Sequence, residues 1–164
     1  MSDPDSLQRS LAGLELALTA HRREARRRLR VSDEELTVLL HLAQHGGARQ
    51  PRLAALTGLS RSGTGALVQR LEQARLVERR TDPDDRRLRR VELTGAGRNR
   101  LSDATRGLQA AVARLAGARD PAALAATERL LDELSAELDA LGAEPRAAAA
   151  AHDAELDPVW RRWA

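Results

Sequence analysis

A mainly α-helical chain with one small β-hairpin is the fold class that this sequence predicts. Three observations carry the prediction. The apolar content is almost wholly Ala (31) and Leu (28), with no Ile, Phe or Tyr, and this composition favours helix over strand. Apolar residues recur at alternating steps of four and three along three long stretches, the pattern of helices that pack on other long helices. Only LVERRT (76–81) and RRVELT (89–94) alternate apolar or neutral with charged residues, and the polar turn DPDDRR (82–87) lies between them.

The elements follow in order. Leu7, Leu11, Leu14, Leu18, His21 and Ala25 stripe a first helix over 7–28. Ser32 followed by Glu35 is a capping box that opens a second helix. Leu36, Leu39, Leu40 and Ala43 line its inner side, and Gly46-Gly47 stop it. PRLAALT (51–57) is a short third helix, with Pro51 at its start and Gly58 at its end. Ser60 caps a fourth, from about Arg61 to Ala74, with Leu67, Leu71 and Ala74 on its core face. Two short helices joined across Gly58-Leu59-Ser60 have the form of a helix-turn-helix. The hairpin follows directly, and it must rest on the helices to be stable. Thr94-Gly95 begins a fifth helix, striped by Leu101, Thr105, Leu108, Val112 and Leu115. Gly117 and Asp120-Pro121 break it. A sixth runs to about Leu141 through Leu124, Thr127, Leu131, Leu134, Leu138 and Leu141. Residues 142–164 form an Ala-rich helical tail in which Trp160 and Trp163 share a face. A terminal helix docked by its indoles is the first reading of that tail, ahead of a disordered end or a ligand lid.

Composition excludes several classes. Without Cys there is no disulfide framework, thiolate metal site or cysteine catalysis. No apolar run approaches the roughly 20 residues that cross a bilayer, and MSDPDSLQRS lacks the features of a signal peptide. A soluble cytoplasmic protein without a membrane partner is expected. No phosphate loop, nucleophile elbow or catalytic triad is found, so the chain is not expected to be an enzyme or to need a cofactor. His41 and His45, spaced i,i+4, are the metal-ligand candidates, with Glu24, Asp33 or His21 as a conjectural third ligand; the expected metal is none.

Charge is segregated. All 27 basic residues are Arg, and the net charge of +3 conceals blocks of opposite sign. Residues 22–30 carry +5 and residues 49–100 carry +7, while 1–21, 31–48 and 101–164 carry −2, −3 and −4. A basic centre between acidic ends is the footprint of polyanion binding; a solvated Arg-rich surface is the alternative. The cluster 22–30 reads first as solvated, with phosphate or an acidic effector as its other possible partners. The three long seams are too much apolar surface for the small helix-turn-helix unit to cover, which points to a second copy of the chain.

A helix-turn-helix followed by a charged hairpin is a winged helix. The stretch 31–101 resembles the MarR family of bacterial regulators. The matching features are TVLLHLAQHG, the block RLAALTGLSRSGTGALVQRLEQARLVERR and the wing DPDDRRLRRVELTGAGRNRL. In the wing, Asp82-Pro83, Asp85-x-Arg87 and Leu93-Thr94-x-x-Gly97 fall at the family's spacing. The resemblance implies a homodimer on a near-palindromic operator, the fourth helix in the major groove and the wing in the minor groove. It implies a four-part chain: a dimerisation helix over 1–30, the winged helix-turn-helix lobe over 31–97, dimerisation helices over 98–141 and the tail over 142–164. The expected activity is transcriptional regulation, in the sense of repression, with release by a small amphipathic or acidic effector held between the dimer helices and the lobe. An effector-independent architectural DNA-binding protein and a helical interaction module without DNA are the rival readings.

The residues support the site on their own chemistry. Ser60, Arg61, Ser62, Thr64 and Gly65 form the expected exposed start of the fourth helix, where free N–H groups suit phosphate. Arg61 has the fork that pairs with guanine O6 and N7. Ser62, Gly65, Ala66 and Gln69 lie opposite Leu67 and Leu71, with Arg70 beside them. In the wing, Arg87 matches the family's DNA-contacting arginine, and Asp85 is placed to orient it. Arg86, Arg89 and Arg90 would add backbone contacts. The chain departs from the family at Gly65, where Thr is usual, and at Arg75 and Leu88, where Gly is usual. Arg and Leu tolerate the left-handed backbone poorly.

Overall fold

The computed structural model describes residues 4–82 and 86–155, the last stretch from 142 as backbone. Two compact units divide the chain, 1–112 and 113–164. The elements run α1 (Pro4–Leu29), α2 (Asp33–His45), β1 (Ala48–Arg49), α3 (Gln50–Thr57), α4 (Arg61–Gln73), β2 (Val77–Thr81), β3 (Arg89–Leu93), α5 (Gly95–Gly117) and α6 (Pro121–Glu155). The fold class is the expected one, mainly helical with a small antiparallel sheet.

Local chemistry sets the boundaries. Ser32 and Glu35 form the full capping box at the start of α2, and Gly46 ends that helix in the left-handed conformation (φ 80°). Pro51 stands in the first turn of α3 and Gly58 closes it at φ 69°. Ser60 caps α4 by accepting from the Gly63 N–H at 3.1 Å. Asp120 caps α6 by accepting from the Ala122 and Ala123 N–H groups. Two helix ends use arginine where glycine is usual. Arg30 and Arg75 take φ of 59° and 58°. The Val31 N–H then donates back to Arg26 O, and the Leu76 N–H to Leu71 O, completing a Schellman closure at each end. Leu88 is not among the positive-φ residues, so the wing turn accepts a side chain there without that strain.

One apolar cluster holds the first unit together. α2 contributes Leu36, Val38, Leu39 and Leu42; α3 contributes Leu53; α4 contributes Leu67, Val68 and Leu71. The sheet adds Val77, Val91 and Leu93, Leu76 joins them from the residue just before β2, and the inner ends of α1 and α5 add Ala25, Leu29, Leu101 and Ala104. Each fully buried Leu is worth about 1.5–3 kcal/mol of hydrophobic stabilisation, so a core without large aromatics still suffices.

Three expectations are corrected. The sheet has a third strand, in the order β1-β3-β2, with Ala48 opposite Val91 and Arg49 opposite Arg90. A two-residue strand is too short to show a period. Ala74 is exposed rather than in the core, because α4 closes at Gln73 and the chain turns at Arg75. The sixth helix does not stop near Leu141: the backbone is helical through Gly142 and Pro145 to Glu155. Trp160 and Trp163 lie outside the described residues.

Candidate nucleic-acid interface

The start of α4 is held by α3. The Gln50 side-chain amide donates to the Arg61 carbonyl oxygen at 3.0 Å, and a Cβ on Gly65 would lie 3.3 Å from the same nitrogen. Gly65 therefore has an internal reason to lack a side chain: it makes room for the Gln50 clamp. Gln50, Pro51, Ala54 and Arg61 line a cleft of about 370 Å³ on this side of the lobe.

From that base α4 presents Ser60, Arg61, Ser62, Ala66, Gln69 and Arg70 as exposed residues. Thr64 departs from the expectation. It is fully buried, and its hydroxyl donates to Ser60 O at 2.9 Å. Its position in the first turn places it on the stripe of Leu67, Val68 and Leu71, so it serves the core. Arg70 is exposed but engaged: its Nε donates to Glu35 at 2.8 Å. The same Glu35 carboxylate accepts from the Ser32 N–H in the capping box. One carboxylate thus ties the start of α2 to the last turn of α4.

The wing is anchored at its base. Arg49 on β1 donates to the buried Asp82 carboxylate at 2.7 Å, and the Asp82 N–H donates to Leu88 O across the hairpin. Sequence spacing does not reveal this pairing. The available signal was Asp82 directly before Pro83; the 33-residue separation from Arg49 hid the pairing. Arg79 pairs with Glu72 at 2.6 Å, and Arg80 with Glu78 at 2.7 Å. Further out, Arg86, Arg87 and Arg89 are exposed, with Arg89 near the Thr81 hydroxyl at 3.4 Å; Arg90 is half-buried and pairs with Glu92 at 3.0 Å. Asp85 lies outside the described residues.

At the hairpin's far end, Thr94 locks the wing to α5. Its hydroxyl donates to Arg75 O at 2.7 Å and accepts from the Gly97 N–H at 2.8 Å. A Cβ on Gly97 would stand 2.0 Å from Leu76 O. The Thr94-x-x-Gly97 spacing is thus a backbone-packing device.

The remaining sequence candidates have distinct settings. His41 and His45 stack with ring centroids 4.4 Å apart. Burial, then the neighbouring His45 and Arg52, push the His41 pKa below its ordinary value. Among the described residues no cluster of three His, Cys, Asp or Glu could hold a metal. In the basic stretch, Arg28 and then Arg27 hold Glu24 below the usual carboxylate range by hydrogen bonding to it. An apolar cavity of about 170 Å³ opens between α1, α2 and α5, with Leu18, His21, Leu36 and Leu108 in its wall. The His21 Nε2 is buried there without a hydrogen-bond partner among the described residues. Among the described residues no helix is long and apolar enough to cross a membrane.

A helix held with one face open, followed by a basic antiparallel hairpin on the same core, defines a winged helix-turn-helix. Residues 31–88 match the family model described as the MarR family. In structure the chain is similar to RV1404 from Mycobacterium tuberculosis, at 27% identity and TM-score 0.54 over 74% of this chain and 84% of that one. It is similar to a MarR family protein from Bacillus stearothermophilus at 20% identity and TM-score 0.57, covering 85% and 99%. It is likewise similar to the transcriptional regulator BldR from Sulfolobus solfataricus at 24% identity and TM-score 0.52, covering 85% and 99%. No curated protein matches it by sequence. The likeness to the MarR family is carried by residues 31–88, and the chain shares the fold of the MarR family protein from Bacillus stearothermophilus.

Proposed function

We propose that this protein regulates transcription by binding duplex DNA as a homodimer, at a near-palindromic operator from which it represses. The observation that carries the reading is the open face of α4. Arg61, Ser62, Ala66 and Gln69 are exposed on a helix whose other side is fully packed, in a lobe of the MarR family. In this reading α4 enters the major groove, Arg61 reads base edges, and Ser60, Ser62 and Gln69 add contacts. Gly65 and Ala66 leave room for close approach. Arg70 stays on Glu35 and reaches DNA only at the rim. Thr64 supports the helix from beneath. Arg86, Arg87 and Arg89 carry the wing into the minor groove, and Asp85 orients Arg87.

The dimer is formed by 1–30 and 98–141, and 31–97 is the DNA-binding lobe. Leu7, Leu14, Val112, Leu115, Leu131 and Leu138 are exposed along the three long helices, as a seam awaiting a partner would be. A small amphipathic effector fits the apolar cavity beside His21 and Arg22, and its binding shifts the spacing of the two recognition helices.

The test begins with selection of bound duplexes from a random pool, followed by titration of the selected site. Arg61→Ala and Arg87→Ala should each weaken binding by about 1–3 kcal/mol, or roughly 5- to 150-fold. Affinity should fall steeply with salt, and less steeply in Arg87→Ala. Wild-type affinity in both variants overturns the site. Loss of binding to random competitor DNA would favour the architectural reading.

A further inference from the structure

The basic stretch 22–30 is left unused by DNA binding. Thr19, Arg22, Arg23 and Arg26 share one face of α1, and with Asp33 at the start of α2 they line a cleft of about 300 Å³. Glu24 matches Arg27 and Arg28 on the neighbouring face. In the cleft, Asp33 is the single carboxylate against three guanidinium groups.

That match is poor. Asp33 stands 3.4 Å from Arg22 and 3.8 Å from Arg26, well beyond the roughly 2.7–2.9 Å of a charge-assisted hydrogen bond. The short bond of Arg22, at 2.8 Å, goes to the neutral Thr37 hydroxyl. The Arg26 Nε–H is buried and meets no acceptor among the described residues. Arg23 is exposed and likewise has no partner among them. The lining holds three cations and one anion; Glu34 next to it also attracts Arg26, and the balance remains positive.

We propose that this cleft binds a small dianion, a phosphate monoester or a dicarboxylate, whose oxygens fit the forked guanidinium groups. A DNA backbone is disfavoured here because Asp33 and Glu34 stand together in the first turn of α2 and repel a continuous polyanion. The bound dianion takes Arg22 and Arg26 from Asp33 and so alters the brace between α1 and α2. Binding needs nothing of the DNA-binding reading; only this regulatory consequence rests on it.

The test uses the full chain without DNA. Inorganic phosphate, malonate and acetate are titrated at matched ionic strength, followed by thermal melting and calorimetry. Phosphate or malonate should raise the Tm saturably while acetate does not. Phosphate alone points to a phosphate monoester, malonate alone to a dicarboxylate, and both to their shared chemistry. Arg23→Ala should weaken binding roughly tenfold, as loss of a charge-assisted bond does, with the unliganded Tm unchanged. Asp33→Asn should tighten it, because the resident carboxylate no longer competes. A shift reproduced by acetate, wild-type affinity in Arg23→Ala, or no shift with either dianion overturns the site. None of these outcomes touches the DNA titration, which stands or falls on Arg61 and Arg87.

Discussion

Two residues show how the backbone carries the lobe. Gly97 sits where the start of α5 crosses the beginning of β2, with no space for a methyl group beside Leu76 O. Because the obstacle is backbone, it cannot swing aside. Gly97→Ala should cost about 1–3 kcal/mol, as overpacking typically does, read as a lower urea midpoint; an unchanged midpoint would refute the packing argument. Arg75 presents the opposite case, an ordinary residue at φ 58°. A left-handed L-residue costs roughly 1–2 kcal/mol, part of which glycine returns through its greater unfolded freedom. Arg75→Gly should therefore raise stability by up to about 1 kcal/mol in the same assay. The spacing Leu93-Thr94-x-x-Gly97 was legible in the sequence. Its reason was not, because the contact joins Gly97 to a residue on another element.

At the scale of elements, α2 is the most informative. Its capping box reads directly from Ser32 and Glu35, three residues apart, because a cap is a local bond. The second role of Glu35, on Arg70, spans 35 residues and leaves no sequence pattern. Glu35→Ala removes both roles and should destabilise by about 1 kcal/mol or more. Glu35→Gln keeps a side chain that can cap and should lose less; equal losses would show that the charge on Arg70 is what matters. The far end of α2 carries a pH dependence. Burial, and then the neighbouring His45 and Arg52, lower the His41 pKa below the unfolded value of 6.5. The unfolded chain takes up the proton first. Stability from this group is complete above about pH 6.5 and is lost as the pH falls toward the folded pKa. Melting between about pH 7.5 and 5.5 should show a decline in wild type that is smaller in His41→Gln. β1 is two residues long and has no period in the sequence, yet it supplies Arg49 to the wing.

For the whole molecule, the unresolved balance is apolar surface. Val112 and Leu115 remain 57% and 59% exposed, and Leu138 58%. Burying each would contribute about 1.5–3 kcal/mol, so a handful of such residues can drive tight association. Leu115→Asp and Leu131→Glu should each shift a dimer toward monomer in light scattering, with the helical circular dichroism per residue largely kept. A dimer that survives both substitutions would mean that the partner seam lies elsewhere.

The class of fold, the capped helix starts, the glycine stops after α2 and α3, the hairpin and the family likeness were determined by the sequence alone. Caps, glycine ends and apolar stripes act within about one helical turn, and such neighbours are adjacent on the chain. Only the tertiary structure decided that Thr64 turns inward, that Ala74 turns outward, that Gly65 makes room for Gln50 and that Arg49 grips Asp82. Each of those outcomes depends on which distant element arrives beside the residue, and packing of a compact core settles that choice among chain segments that share no local signal.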